Sequence, residues 1–378
     1  MSSYIQVGHD SHNLLSDPQL GTLGAILSPV NYTQSKLANT IKDKKGKIEL
    51  IFDPQLYFPK SQMAKLRTWN YVPCDVDSAD YSQLGWWSRI NKSLTKTAQE
   101  LGVTSICSPA FIPRTYTEDF YELILNIADD LAQQNMQTNI GILQTVLVNL
   151  NDLARYSYVM AIASVLVKMK TQRVYLIFVG STSPRLELAD PDELKGAMLL
   201  ISLLVENNFD VLVAYSSSDL VLWKTAGATS VASGKFFNLR RFTESRWDEK
   251  DEGGGGQQAY WIEESLMAFL RTQDVSRVAK HSLLSKASLN NPFAKDILQC
   301  INTGAPWLGL SWRFYLSWFG DIERRLDAKQ IDPIKFLEQA DKNWLQIELS
   351  KIYLDERRND GAWLRQWLRA ISEYQSPW

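Results

Sequence analysis

Cysteine is scarce in this chain of 378 residues: only Cys74, Cys107 and Cys300 occur. Their wide spacing excludes a paired zinc or redox motif and a disulfide framework. Histidine is as rare, and His9, His12 and His281 lie outside the apolar runs described below. A His-ligated catalytic metal is therefore not expected, and neither is a cofactor. No apolar run approaches the ~18 residues that a membrane-spanning helix needs. An excess of one charge is also missing, since 40 Lys plus Arg face 42 Asp plus Glu. Attraction to nucleic acid or an anionic surface must then come from a local patch. The phosphate-loop, dinucleotide-loop and HExxH motifs are absent. Few cysteines and no charged-then-apolar leader give the expectation of a cytoplasmic protein.

What the chain does have is a hydrophobic content of 45% with 22% charged residues, enough for a large core and against disorder. Residues 1–19 are polar and read as a loose arm. Short apolar runs follow: Gly24–Leu27, Ile48–Phe52, Val103–Cys107, Ile140–Leu143, Val174–Val179, Asp210–Ala214, Ser230–Ser233 and Ala259–Ile262. Runs without strict alternation are those of strands buried on both faces. Helical periodicity lies between them, at Glu118–Gln134 behind Thr117, at Asp152–Lys170, and at Pro191–Asn207 behind Asp190. Strand alternating with helix predicts an α/β fold, a (β/α)8 TIM-like barrel over 20–265, with an open doubly wound sheet as the alternative. After about residue 265 the strand pattern stops, and Leu266–Leu270 reads as the first helix of the tail. Ala294–Ile301, Ile322–Leu326, Ile334–Ala340, Trp344–Leu354 and Trp363–Ile371 predict an all-helical extension over 266–378. Two connections are unusual. Pro54 to Gly102 is long and carries Trp69, Tyr71, Trp86 and Trp87, and Trp247 to Gln258 is an acidic, Gly-rich loop.

In a parallel barrel, chemistry belongs where strands end. Three early runs end in Ser28-Pro29, Asp53-Pro54 and Ser108-Pro109, and proline there holds the preceding residue extended at the mouth. Asp53 is the carboxylate among them and the candidate acid, base or nucleophile; its alternative role is to cap a local turn. Gln55, Ser108 and Gln144 are candidate ligand contacts nearby. Arg114 and the stretch Ser181–Arg185 are weaker mouth positions. Late in the chain, Ser216 in the Ser-rich turn, Gly234, Lys235, Arg240 and Arg241 form a candidate anion site. Glycine there would admit an anion to the backbone, and the cations would grip it; adjacent Arg240 and Arg241 point apart, so Arg240 rather than Arg241 is expected to face the ligand. The alternative pairs both arginines with the acidic loop at 248–252.

The segment Asp210–Phe242, with Ala226-Gly227-Ala228-Thr229 leading into a run that ends in Gly234, resembles the phosphate-binding quarter of many (β/α)8 enzymes. A Ser-rich turn stands where those enzymes commonly carry Gly-Gly. That resemblance implies a phosphate-bearing ligand. An acid at a barrel mouth is also similar to tRNA-guanine transglycosylases, though their Cys and His zinc ligands are missing here. Two functions are expected from these features. One is a metal-independent barrel enzyme for glycosyl transfer or hydrolysis at a nucleotide or nucleic-acid base. The other is a non-catalytic scaffold that docks a protein or nucleic acid through the Trp- and Arg-rich tail. An enzyme should gather Asp53 and the cations around one pocket, whereas a scaffold should fill the mouth with apolar side chains.

Overall fold

Strands of three to nine residues, apolar along nearly their whole length, bury both faces only if helices cover the outside and side chains fill the inside. The protein meets both conditions. A computed structural model describes residues 3–61, 63–247, 257–355 and 360–376. Its strands are β1 (Tyr4–Gln6), β2 (Gly24–Leu27), β3 (Glu49–Phe52), β4 (Ser105–Cys107), β5 (Gly141–Asn149), β6 (Arg173–Val179), β7 (Asp210–Val213) and β8 (Ser230–Ser233). They form a closed parallel barrel in chain order, β1 pairing with both β2 and β8.

The barrel expected from the sequence is present, but two of its assignments change. The polar stretch at 1–19 is not a loose arm, because Tyr4–Gln6 is the first barrel strand, with Tyr4 opposite Gly24 and Ala232. A three-residue strand is too short to show a period, so polar neighbours concealed it. The run Ala259–Ile262 is not the eighth barrel strand. Trp261–Glu263 (β9) pairs antiparallel with Ala268–Leu270 (β10), outside the barrel, and that second strand occupies a stretch read as helix. The acidic and Gly-rich residues 248–256 lie outside the described residues.

The tail is helical from Thr272 onward, with long helices at Leu308–Asp327, Pro333–Leu349 and Ala362–Tyr374. Most of its described tryptophans serve the protein's own core. Trp318, Trp344, Trp363 and Trp367 are buried. The Trp367 indole donates to the Leu188 carbonyl at 2.6 Å, and that of Trp344 to the Leu266 carbonyl at 2.9 Å. Glu323 in the helix Leu308–Asp327 accepts from the Val231 amide of β8 at 3.0 Å, which ties the tail to the last barrel strand.

At the bottom of the barrel, Glu49 accepts two hydrogen bonds from Arg173 at 2.6 and 3.1 Å, one from Ser105 at 3.0 Å and one from Tyr4. Burial alone would raise this carboxyl's pKa, but the donors from Arg173 and Tyr4 hold it below the usual value. The network joins β1, β3, β4 and β6 at the end opposite the mouth, where barrels keep their stabilising contacts.

Helix Pro191–Glu206 begins at Asp190, whose side chain accepts the amides of Asp192 and Glu193 at 3.0 Å. Gly196 in this helix lets it press on the turn Leu150–Leu153: a Cβ there would lie 1.8 Å from the Leu153 carbonyl oxygen. Replacing glycine by alanine inside a helix normally stabilises by about 0.5–1 kcal/mol. Here overpacking against backbone, typically about 1–3 kcal/mol, decides the sign. Gly196→Ala should lower the urea midpoint; an unchanged or higher midpoint would show that these helices do not approach as described.

Candidate functional site

Asp53 follows the last residue of β3 and is only 1% exposed. Its Oδ1 accepts the Gln55 amide at 3.0 Å, so it caps the turn made by Asp53-Pro54. Its Oδ2 accepts Tyr57 OH at 2.8 Å, and Tyr175 OH and Gln55 Nε2 at 3.3 Å each. Gln55 and Tyr215 both adopt left-handed backbone conformations, φ 54° each, which cost L residues roughly 1–2 kcal/mol. Their side chains meet at 3.4 Å. Gln6 on β1 donates to Tyr175 OH at 3.0 Å, and Ser28 donates to Gln55 Oε1 at 2.7 Å. The carboxylate is thus the centre of a buried polar knot. Burial, and then the charge of Asp53, push the Tyr57 and Tyr175 phenols well above their usual pKa.

Aromatic rings close this knot from above. Tyr57 packs edge-on to Phe242 and Trp247 at 5.3 Å, and Tyr215 packs edge-on to Phe242 at 5.2 Å. The long connection after β3 contributes more of the cover. Trp69 donates to the Tyr32 carbonyl at 2.9 Å, and Tyr71 donates to the Pro54 carbonyl at 2.9 Å. Outside the plug lies a mouth cavity of about 1100 Å³, walled by Tyr57, Arg114, Asn149, Asp152, Ser181 and Thr243 among others. Asp152, not singled out from the sequence, has a buried Oδ2 with no hydrogen-bond partner among the described residues, and burial raises its carboxyl pKa.

A second, smaller cavity of about 410 Å³ opens where the loops after β1 and β8 meet. Lys235, Arg240 and Arg185 give its walls three positive side chains, and no carboxylate lines it among the described residues. His9, Asn31, Asn238, Tyr260 and Trp312 complete much of the rest. Arg240 is 4% exposed and lies 3.5 Å from the Tyr315 ring centre. Its Nε and Nη2 donate to the carbonyls of Gly234 and Lys235 at 3.0 and 2.9 Å. Its Nη1 is buried with no hydrogen-bond partner among the described residues. Burial lowers its pKa to about 10, still cationic at neutral pH. Lys235, 3% exposed, donates to the Asp10 carbonyl at 3.0 Å between the rings of Trp312 and Phe236.

The structure separates residues that the sequence grouped. Asp53 is on the wall of neither mouth cavity, whereas Lys235 and Arg240 share one. Arg241 turns away, towards Glu187 at 3.4 Å and Asp219 at 3.5 Å. Gly234 does not leave room for an anion, because a Cβ there would meet Leu239 at 2.5 Å and the Gln6 carbonyl at 2.9 Å. Its small size serves packing. Ser108 ties β4 to β5 by accepting the Thr145 amide at 2.9 Å, and Gln144 donates outward to the Ile124 carbonyl at 3.1 Å. Ser216 donates its amide to Ala232 of β8 at 2.9 Å. These three are structural in their contacts. His9 does reach a strand end, contrary to the sequence reading, because β1 precedes it. Arg185 was a weak mouth candidate in the sequence, whereas Asn238, Tyr260 and Trp312 were not singled out as site residues, since separate segments bring them together.

No family model matches the chain, and no curated protein matches it. Among solved structures it is similar to a dihydrodipicolinate synthase from Bacillus anthracis, with 11% identity, TM-score 0.37, and 82% of this chain covering 89% of that one. It is also similar to LpqI of M. tuberculosis, at 11% identity and TM-score 0.39 over 83% and 90% of the two chains. An L-ribulose 3-epimerase matches at 12% identity and TM-score 0.35, over 68% and 89%. The likeness to tRNA-guanine transglycosylases finds no support among these structures.

The Asp53 knot predicts that Asp53→Asn destabilises the fold. An amide places NH2 against donors that now meet an oxygen, which should cost on the order of 2 kcal/mol in the urea midpoint. A neutral substitution would mean that the carboxylate is not held as described. Glu187, buried beside Asp219, has its pKa raised to about 7, mainly by burial. Between the ordinary carboxyl pKa near 4.5 and 7, the folded state binds more protons than the unfolded one. Its contribution therefore lowers stability as pH rises through that interval. Glu187→Gln should flatten the stability–pH curve there; an unchanged slope would count against the buried carboxyl.

Proposed function

We propose that the protein is a barrel enzyme that binds a phosphate-bearing ligand in the cavity between the β1 and β8 loops. One observation carries this reading: Arg240, whose Nη1 is buried with no hydrogen-bond partner among the described residues, lies on the wall of a cavity that has two further cations and, among the described residues, no carboxylate. Leaving a charged donor unsatisfied inside a protein is costly, and an incoming oxyanion would satisfy it. Exposed Arg185 and buried Lys235 add positive charge from the β6 and β8 loops. The cavity volume suits one small ligand rather than a chain. Its position at the carboxyl ends of the strands is where barrels place their chemistry.

Glycosyl transfer or hydrolysis at a base, with Asp53 reacting, fits this geometry less well. The knot of tyrosines holds Asp53 apart from the anion, and a nucleotide would have to displace Tyr57 to reach it. The aromatic plug favours the scaffold reading for the barrel centre, yet the unpaired arginine favours a ligand at its edge. Burial of Trp318, Trp344, Trp363 and Trp367 counts against a docking surface built on them.

Calorimetric titration with inorganic pyrophosphate tests the reading. A charge-assisted contact contributes roughly 1.5–3 kcal/mol, so Arg240→Gln should weaken binding about ten- to a hundredfold. Arg185→Gln, at an exposed position, should weaken it less and leave the fold intact. Affinity should fall with added salt. No binding by the unaltered protein, or equal binding by all three forms, would refute the site.

A further inference from the structure

We propose that Lys235 is an amine nucleophile that forms an imine with an aldehyde or ketone whose anionic group sits on Arg240. The inference rests on the cavity being an anion site, and adds that the site is reactive.

Three features of the cavity set Lys235 apart from an anchoring lysine. It is 3% exposed although its side chain lines an open cavity, so its ammonium is largely stripped of water. No carboxylate pairs with it at ion-pair distance among the described residues; its hydrogen bond goes to the Asp10 carbonyl. The other charged side chains lining the cavity, Arg185 and Arg240, are positive. Desolvation favours the neutral amine, the form that attacks a carbonyl carbon. The rings of Trp312 and Phe236, with centres 4.0 and 4.7 Å from Nζ, pull the other way, towards the cation, as does the carboxylate of Asp10. Burial prevails and lowers the pKa to about 8, so a substantial share of the amine is free under mildly basic conditions.

The backbone places the two partners together. Arg240 Nη2 donates to the carbonyl of Lys235 itself at 2.9 Å, which fixes the guanidinium beside the residue that bears the amine. A small carbonyl compound with a phosphate or carboxylate could then place its anion on Nη1 and its carbonyl near Nζ. In the reaction the amine lone pair adds to the carbonyl carbon. Proton transfers follow, the carbonyl oxygen leaves as water, and a C=N bond replaces C=O. No oxidant or reductant is required.

Pyridoxal 5′-phosphate, which joins an aldehyde to a phosphate, is a suitable probe, with pyridoxal as its phosphate-free counterpart. Each is incubated with the unaltered protein, the imine is reduced with borohydride, and the labelled peptides are mapped by mass spectrometry. The expected result is a label concentrated on Lys235, formed at least ~10-fold more readily with the phosphate, suppressed by excess pyrophosphate, and increasing with pH about a midpoint near 8. Lys235→Arg should bind pyrophosphate but lose the label from that peptide. Labelling spread over exposed lysines, with no excess on Lys235, would overturn the proposal. If pyrophosphate still binds in that case, only the nucleophile falls; if pyrophosphate does not bind, the anion site falls as well.

Discussion

Closure of the sheet by β1 is the constraint on which everything else depends. Three residues, Tyr4–Gln6, pair with β2 on one side and β8 on the other, and without them the sheet would have two free edges. Tyr4 also reaches the Glu49–Arg173 network at the bottom of the barrel, so one short strand fixes both seam and base. The anion cavity lies above that seam. Gly8 and His9 come from the chain just after β1, and Lys235 and Arg240 from the chain just after β8. The barrel must therefore close before the cavity exists.

The mouth shows two different solutions to burying charge. Asp53 is surrounded by donors that satisfy it completely enough to make the carboxylate a structural tie, with aromatic rings excluding water above. Arg240 is enclosed by Tyr315, Phe237 and Phe269, whose faces accept the cation's plane while two backbone carbonyls take its edge. One donor has no partner among the described residues. A saturated anion and an unsaturated cation in the same mouth point to the cation as the place where a ligand is accommodated.

Much of the architecture was legible in the sequence because buried parallel strands announce themselves as short apolar runs between capped helices. Asp190 and Thr117 cap helices where their positions implied, with Thr117 accepting the Phe120 amide at 3.3 Å. The first strand was not legible, since Tyr4–Gln6 sits among polar residues and its pairing is entirely non-local. The apolar run at Ala259–Ile262 was misleading for the same reason: local pattern says that a strand is buried, not which sheet receives it. At the site, adjacency was the useful signal for Arg240 and Arg241, which were expected to diverge and do. The separation of Asp53 from the cations was not legible, because it depends on the tyrosines of three different strands and loops closing over the carboxylate. Gly234 looked like a space for an anion, while only its contact with Leu239 reveals it as a packing position.

The most direct measurement is a crystal structure grown with tungstate, an electron-rich oxyanion that resembles phosphate in shape and charge. The account predicts a tungstate peak within hydrogen-bond distance of Arg240 Nη1, in the cavity between the β1 and β8 loops. Tungstate bound only in the larger mouth cavity near Arg114, with the Arg240 cavity empty of it, would contradict the account.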